Sequence, residues 1–185
     1  MKNKATYLDK NLSRINKALL NSIPEENYSE ITKAIHYSVM NGGKRIRPQL
    51  MLLIAEALEV DVDNKTIDLM AAAGELIHCY SLIHDDLPAM DDDDFRRGKL
   101  SCHKKFSEAT AILAGDAIQP LSLEILTSIN DKNLSAESKC QIINIFAKAC
   151  GPKGMVEGQN LDIKAENKKL NEQQLDKVHY LKTGK

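Results

Sequence analysis

Tryptophan is missing from this 185-residue chain, and aromatic residues together make up only 4% of it. A core drawn from such a pool must be aliphatic. Its four cysteines, Cys79, Cys102, Cys140 and Cys150, form no C-x-x-C pair, which argues against a zinc site or a disulfide framework and fits reduced thiols. The formal net charge is −1, so no global field gathers nucleic acid or an anionic membrane surface. No apolar run reads as a membrane span, and Met1-Lys2-Asn3-Lys4 opens a polar segment instead of an apolar signal core. The expectation is a cytoplasmic protein with no nucleic-acid partner and no membrane span. Repeats, linkers and low-complexity tracts are also missing, and the length suits one domain over residues 1–185. Arginine is scarce: five stand against twenty lysines, and four of the five fall in pairs, Arg45/Arg47 and Arg96/Arg97. A chain that covers itself with lysine yet keeps arginine for two places needs the planar guanidinium there, and phosphate oxygens are its usual partner.

What is present is helical periodicity. Leu8, Leu12, Ile15 and Leu19 predict a helix over about 5–21, stopped near Pro24. Ile31, Ile35 and Val39 predict a second, closed by Gly42-Gly43, and Ile46, Leu50, Leu53, Ile54, Ala57 and Leu58 mark a third. Asp63 or Asn64 is placed to cap a fourth that runs toward Pro88. From Ala109 to Ile129, twelve of twenty-one positions are apolar and lie all round the helix, as in a central or interface helix. Ser135 caps a helix to about Cys150, a short one follows Pro152, and a last begins near Asn171. Alternating β-branched runs do not occur. The predicted class is all-α, a set of antiparallel helices joined by short Gly/Pro/Asn turns.

The acidic segment carries the chemistry. Asp85, Asp86, Asp91, Asp92, Asp93 and Asp94 place six of fourteen aspartates within ten residues, and Arg96-Arg97 follows at once. Such crowding is costly unless a strong cation neutralises it. Most acidic runs are solvated loops. This one is flanked by apolar Leu76, Ile77, Leu82 and Ile83, and it lacks the sixth-position Gly and twelfth-position Glu of a calcium loop. Carboxylates suit Mg²⁺, which is usually held by one or two of them together with substrate phosphates. Arginine forks match phosphate oxygens. A metal-diphosphate site is the reading.

Gly42-Gly43-Lys44-Arg45-Ile46-Arg47-Pro48 forms a second candidate site. The glycines can end one helix in a left-handed turn, and the next helix then opens with free amide groups beside a phosphate. Lys44 and Arg47, three apart, are expected on one face of that helix. His78 precedes Asp85 by two helical turns and shares its face, whereas His84 is rotated away by about 100° and reads as structural. Tyr80 and Ser81 lie about 6–7.5 Å along the helix from Asp85, where a chain anchored there would extend. Tyr80 as floor of that channel and Tyr80 as ordinary core are equal readings. Gly158-Gln159-Asn160-Leu161-Asp162 and Lys182-Thr183-Gly184 are weak signals alone.

Taken together these motifs resemble the trans-isoprenyl diphosphate synthases, most closely the bacterial farnesyl diphosphate synthases. The likeness runs in order through Gly42–Pro48, His78, Tyr80, Ser81 to Asp91 with its D-D-x-x-x-x-D spacing, Arg96-Arg97-Gly98, Leu113-Ala114-Gly115-Asp116-Ala117, Gly158-Gln159 with Asp162, and Lys182-Thr183-Gly184. It implies a bundle of long helices around a central apolar cavity, usually dimeric. It implies that Asp85 and Asp91, with Asp86, hold Mg²⁺ on the diphosphate of an allylic substrate. Arg96 would touch that diphosphate and Lys182 and Thr183 close over it. Lys44, Arg47, His78 and Arg97 would hold isopentenyl diphosphate, and Gln159 would lie near the allylic end. Tyr80 and Ser81 would limit product length, favouring fifteen carbons, with a geranylgeranyl product as the alternative.

Two departures stand out. Members of that family run longer, and their second Asp-rich motif is not found, since Asp176 stands alone after Asp162. The expectation is a truncated or proteolysed form, lacking the C-terminal helices, that does not elongate prenyl chains alone. A non-catalytic binding or regulatory partner is one competing reading. A metal-dependent phosphohydrolase built on His84-Asp85, with His36 and Asp116, is another.

Overall fold

The computed structural model describes residues 2–185, with side chains from residue 7 onward. Its helices are α1 (Lys2–Ser22), α2 (Glu30–Val39), α3 (Ile46–Ala57), α4 (Asn64–Asp85), α5 (Cys102–Lys105), α6 (Glu108–Ser128), α7 (Ala136–Cys150), α8 (Met155–Ala165) and α9 (Glu172–His179). The all-α expectation holds, with one addition. Phe95–Arg96 (β1) and Lys99–Leu100 (β2) pair antiparallel in a two-residue-per-strand hairpin. Arg97 and Gly98 turn it with φ of 54° and 79°, the doubly left-handed backbone that suits tight hairpins. Two residues per strand are too few to show a period of two, so the hairpin leaves no pattern in the sequence.

The chain divides into two compact units, Met1–Ser135 and Ala136–Lys185. In the first, α4 packs along α6 and is flanked by α1 and α3, while α2 also lies on α6. Small side chains allow this closeness: Ala71, Ala72 and Ala73 on α4 and Ala111 and Ala114 on α6 are all at most 2% exposed. Ile15, Leu19, Val39, Leu76, Ile118, Leu126 and Ile129 complete an aliphatic core. Pro120 sits inside α6 and, lacking an N–H, leaves the Asp116 carbonyl without its usual intrahelical donor. By length and composition α6 is long and apolar enough to cross a membrane, against the expectation that no apolar run would be. Core helices meet the same description, and α6 buries Ala111, Ala114, Ile118 and Leu126 within its unit.

Caps explain most boundaries. Ser29 and Thr32 form a reciprocal capping box on α2. Ser107 accepts from the Thr110 amide at 3.0 Å to open α6. Asp63 precedes α4 as expected, but its own side chain does not cap the helix. Asp131, just beyond α6, braces the start of the helix instead, accepting from the Asp63 amide at 2.8 Å and the Thr66 hydroxyl at 2.7 Å.

In the second unit Asn171 and Gln174 form another capping box that starts α9. A π-helical turn, Tyr180–Gly184, follows and packs on α8. Gly158 makes that contact possible. A Cβ there would lie 2.5 Å from the Lys182 Cα, well inside contact distance.

Candidate functional site

The acidic segment begins where α4 ends. Pro88 cannot continue the helix, and the loop turns back on itself: the Met90 amide donates to the Leu87 carbonyl at 2.9 Å and the Asp91 amide to the Asp85 carbonyl at 2.8 Å. Asp92 takes a φ of 50° to permit the turn. The first and last aspartates of the D-D-x-x-x-x-D motif are thus hydrogen-bonded neighbours, Asp85 half-buried and Asp91 exposed.

Between them Asp86 points inward, 2% exposed, and meets Arg96 as a fork: Nε donates at 2.9 and 3.2 Å to the two carboxylate oxygens, and Nη2 to Oδ1. Burial pushes the Asp86 carboxyl up, against the pull of the guanidinium. Arg96 also reaches Asp93 at 3.3 Å, and Lys104 pairs with Asp94 at 2.8 Å. Asp86, Asp93 and Asp94 are therefore met by protein cations. Asp85 and Asp91 are joined by the turn, which brings two more carboxylate residues, hard-oxygen groups, to the same end of α4. A further grouping brings Asp92, Asp94 and a ring nitrogen of His103 within 4.8 Å of one another. His103 is buried, with Nδ1 3.1 Å from the Ser101 hydroxyl. The sequence reading missed it, because the hairpin brings it back from nine residues beyond Asp94 and no spacing rule announces that.

The basic residues form a second cluster. Gly42 and Gly43 take φ of 81° and 117°, so the left-handed turn is as expected. Arg45 follows at φ 49°, and α3 starts only at Ile46. Lys44 therefore lies in the turn, exposed, and does not share a helix face with Arg47. Arg45 is not a phosphate ligand at all. It is 2% exposed, and its Nη1 meets Glu75 at 2.8 Å while Nη2 donates to the Val39 carbonyl at 2.5 Å. Pairing in sequence misled because the left-handed residue turns Arg45 into the core while Arg47 faces outward. Arg97 donates from Nη1 to the Gly42 carbonyl and lies flat over Gly43, where a Cβ would sit 2.5 Å from its Cζ.

His78 lies in the field of these arginines. Burial first, then Arg47, Arg97, Arg45 and Arg96, push its imidazole down to about 4. It is neutral at pH 7 and surrounded by positive charge.

Tyr80 is 6% exposed and meets the His84 ring edge-on at 5.6 Å. His84 is held in turn: Nε2 lies 3.1 Å from the Ile112 carbonyl and 3.9 Å from Asp116, and its ring fills the space a Cβ on Gly115 would need. Ser81 donates to the His78 carbonyl at 2.9 Å. His36 Nε2 sits 2.6 Å from the Pro24 carbonyl, at the turn between α1 and α2, away from this constellation.

In the second unit the two weak motifs meet each other. Lys182 Nζ pairs with Asp162 at 2.5 Å across the Gly158 contact. Gln159 is buried with neither amide atom partnered, and Thr183 is exposed.

Residues 28–185 match the polyprenyl synthetase family. The farnesyl diphosphate synthase of Haemophilus influenzae is 47% identical over 160 residues, 86% of this chain and 53% of that protein. That of Micrococcus luteus is 47% identical over 173 residues, 94% of this chain and 57% of its own length. A crystal structure of a geranyltransferase from Legionella pneumophila superposes with a TM-score of 0.92 at 44% identity, covering 99% of this chain and 65% of that one. The chain spans about half the length of the curated relatives it matches.

Proposed function

On the premise that the chain belongs to the polyprenyl synthetase family, we propose that it carries diphosphate-binding machinery of a Mg²⁺-dependent trans-prenyltransferase. The reaction is condensation of dimethylallyl or geranyl diphosphate with isopentenyl diphosphate to farnesyl diphosphate, in isoprenoid biosynthesis in the cytoplasm. The observation that carries this reading is the turn joining Asp85 to Asp91 in the same unit as an arginine cluster around His78.

Each residue then has a task. Asp85 and Asp91, with Asp86, would hold Mg²⁺, and the metal would supply positive charge against the negative charge of a departing diphosphate. Arg96 is held by Asp86 and Asp93, so it is aimed before a ligand arrives and loses little side-chain freedom on binding. Lys182 and Thr183, in the second unit, are diphosphate contacts in the same reading. Arg47, Arg97, Lys44 and neutral His78 receive the diphosphate of isopentenyl diphosphate. His78 can donate there without adding a further positive charge to the arginines. Gln159, with both amide atoms buried and unpartnered, is a further ligand contact in this reading. The allylic carbon–oxygen bond breaks to release diphosphate, the double bond of isopentenyl diphosphate attacks the allylic cation to form the new carbon–carbon bond, and the released diphosphate takes the proton that the resulting cation loses. Tyr80 and Ser81 set the product length at fifteen carbons. Two such chains pair through α6, whose Ile112, Leu113 and Leu123 stand exposed.

Calorimetry with dimethylallyl diphosphate tests this. Binding is expected to require Mg²⁺ and to vanish in Asp85→Asn. Equal binding without the metal, or none with it, overturns the reading. Metal-dependent binding without turnover in a product assay would leave the non-catalytic partner as the function of the chain.

A further inference from the structure

The hairpin that carries Arg96 and Arg97 has two residues in each strand and cannot hold its own position. It is tied to the end of α2 at two points. The Tyr37 hydroxyl donates to the Leu100 carbonyl at 2.8 Å, on β2. The Asn41 amide donates from Nδ2 to the Arg96 carbonyl at 3.0 Å, on β1. Asn41 is also the residue immediately before Gly42-Gly43. The Arg97 guanidinium returns the link, donating to the Gly42 carbonyl and lying over Gly43.

We propose that Asn41 is a positioning residue: by clamping the Arg96 carbonyl beside the glycine turn, it holds Arg97 and the turn together as one anion-binding surface. Tyr37 grips the opposite strand, three residues beyond Arg97, and bears on β1 only through the pairing of the two strands. Arg97 itself is exposed, so without the clamp its rotamers and the hairpin's pivot dilute the charge facing His78. The side chain at position 41 must be a donor of short reach. An apolar residue fills the space and loses the tie.

The proposal rests on the diphosphate reading only for the identity of the ligand, so two independent measurements test it on the 185-residue chain. The first is the His78 pKa followed by NMR titration, which carries the arginines' field on top of the larger effect of burial, with no ligand present. Its value in the unaltered chain is expected near 4. Asn41→Ala should raise it by the part that Arg97 contributes, burial and Arg47 keeping it below the ordinary value. The second is calorimetric affinity for inorganic pyrophosphate, expected to fall about three- to tenfold, the factor that one lost hydrogen bond represents. If Asn41→Ala does not fold, Asn41→Leu, which keeps the volume without the donor, is measured in its place. A His78 pKa unchanged in the folded variant overturns the proposal. Should the unaltered chain not bind pyrophosphate at all, the diphosphate reading falls, and the His78 shift still decides whether Asn41 positions the arginines.

Discussion

An imidazole flanked by guanidinium groups holds a proton poorly, and at His78 the consequence for stability has a definite sign. Its folded pKa of about 4 lies below the ordinary 6.5. Above pH 6.5 neither state is protonated there and His78 contributes nothing to the pH dependence. As pH falls from 6.5 to 4 the unfolded chain takes up a proton that the folded one refuses, so stability declines across that window. Denaturant melts at pH 7 and pH 4.5 should show the decline, and His78→Gln should flatten it. Arg45 and Glu75 make the second residue-scale prediction. The two side chains are 1% and 2% exposed and 2.8 Å apart. Glu75→Ala strands a buried guanidinium and should cost about 3–5 kcal/mol in equilibrium unfolding. Replacing both with apolar residues should cost much less. Glu75 carried no signal in the sequence, because nothing in its spacing shows that an arginine thirty positions earlier turns inward to meet it.

Helix α4 shows how an element can be visible while the brace at its start is not. The run from Asn64 and the stop before Pro88 are local events, legible as periodicity and as a ring that cannot donate. The brace is remote. Asp131 accepts from Thr66 and from the backbone amides of Asn133 and Asp63, and these bonds hold its carboxyl below the usual carboxylate range. A lowered pKa stabilises the fold above the unfolded value and is lost as pH falls through the folded one. Asp131→Ala should therefore lower the melting temperature at pH 7 and bring faster amide exchange to the first turn of α4. The gap between the two proteins should narrow toward pH 3. Unchanged exchange at residues 64–67 would show that the brace contributes nothing. The hairpin is the opposite case: too short to read as an element, it nonetheless delivers both Arg96 and Arg97.

On the scale of the whole molecule, α6 joins a packed inner side to an outer side with exposed Ile112, Leu113 and Leu123. Large apolar side chains grouped on one helix favour association. The chain should sediment as a dimer, and Leu113→Glu together with Ile112→Glu should shift it to monomer without loss of helical signal. A monomer in the unaltered chain would remove α6 as the interface. The match of residues 28–185 to one family spans both compact units, so the motifs of each are read within one family.

Helices and their ends, the D-D-x-x-x-x-D segment and the glycine turn were all within reach of the linear chain, because each depends on neighbours no more than about two helical turns away. Folding alone settled which charges meet. It sent Arg45 to Glu75 and away from phosphate, gave Asp86 to Arg96, drew Asp91 back onto Asp85, and set four arginines around His78. Charge acts through space over several ångströms, and only packing decides which residues share that space.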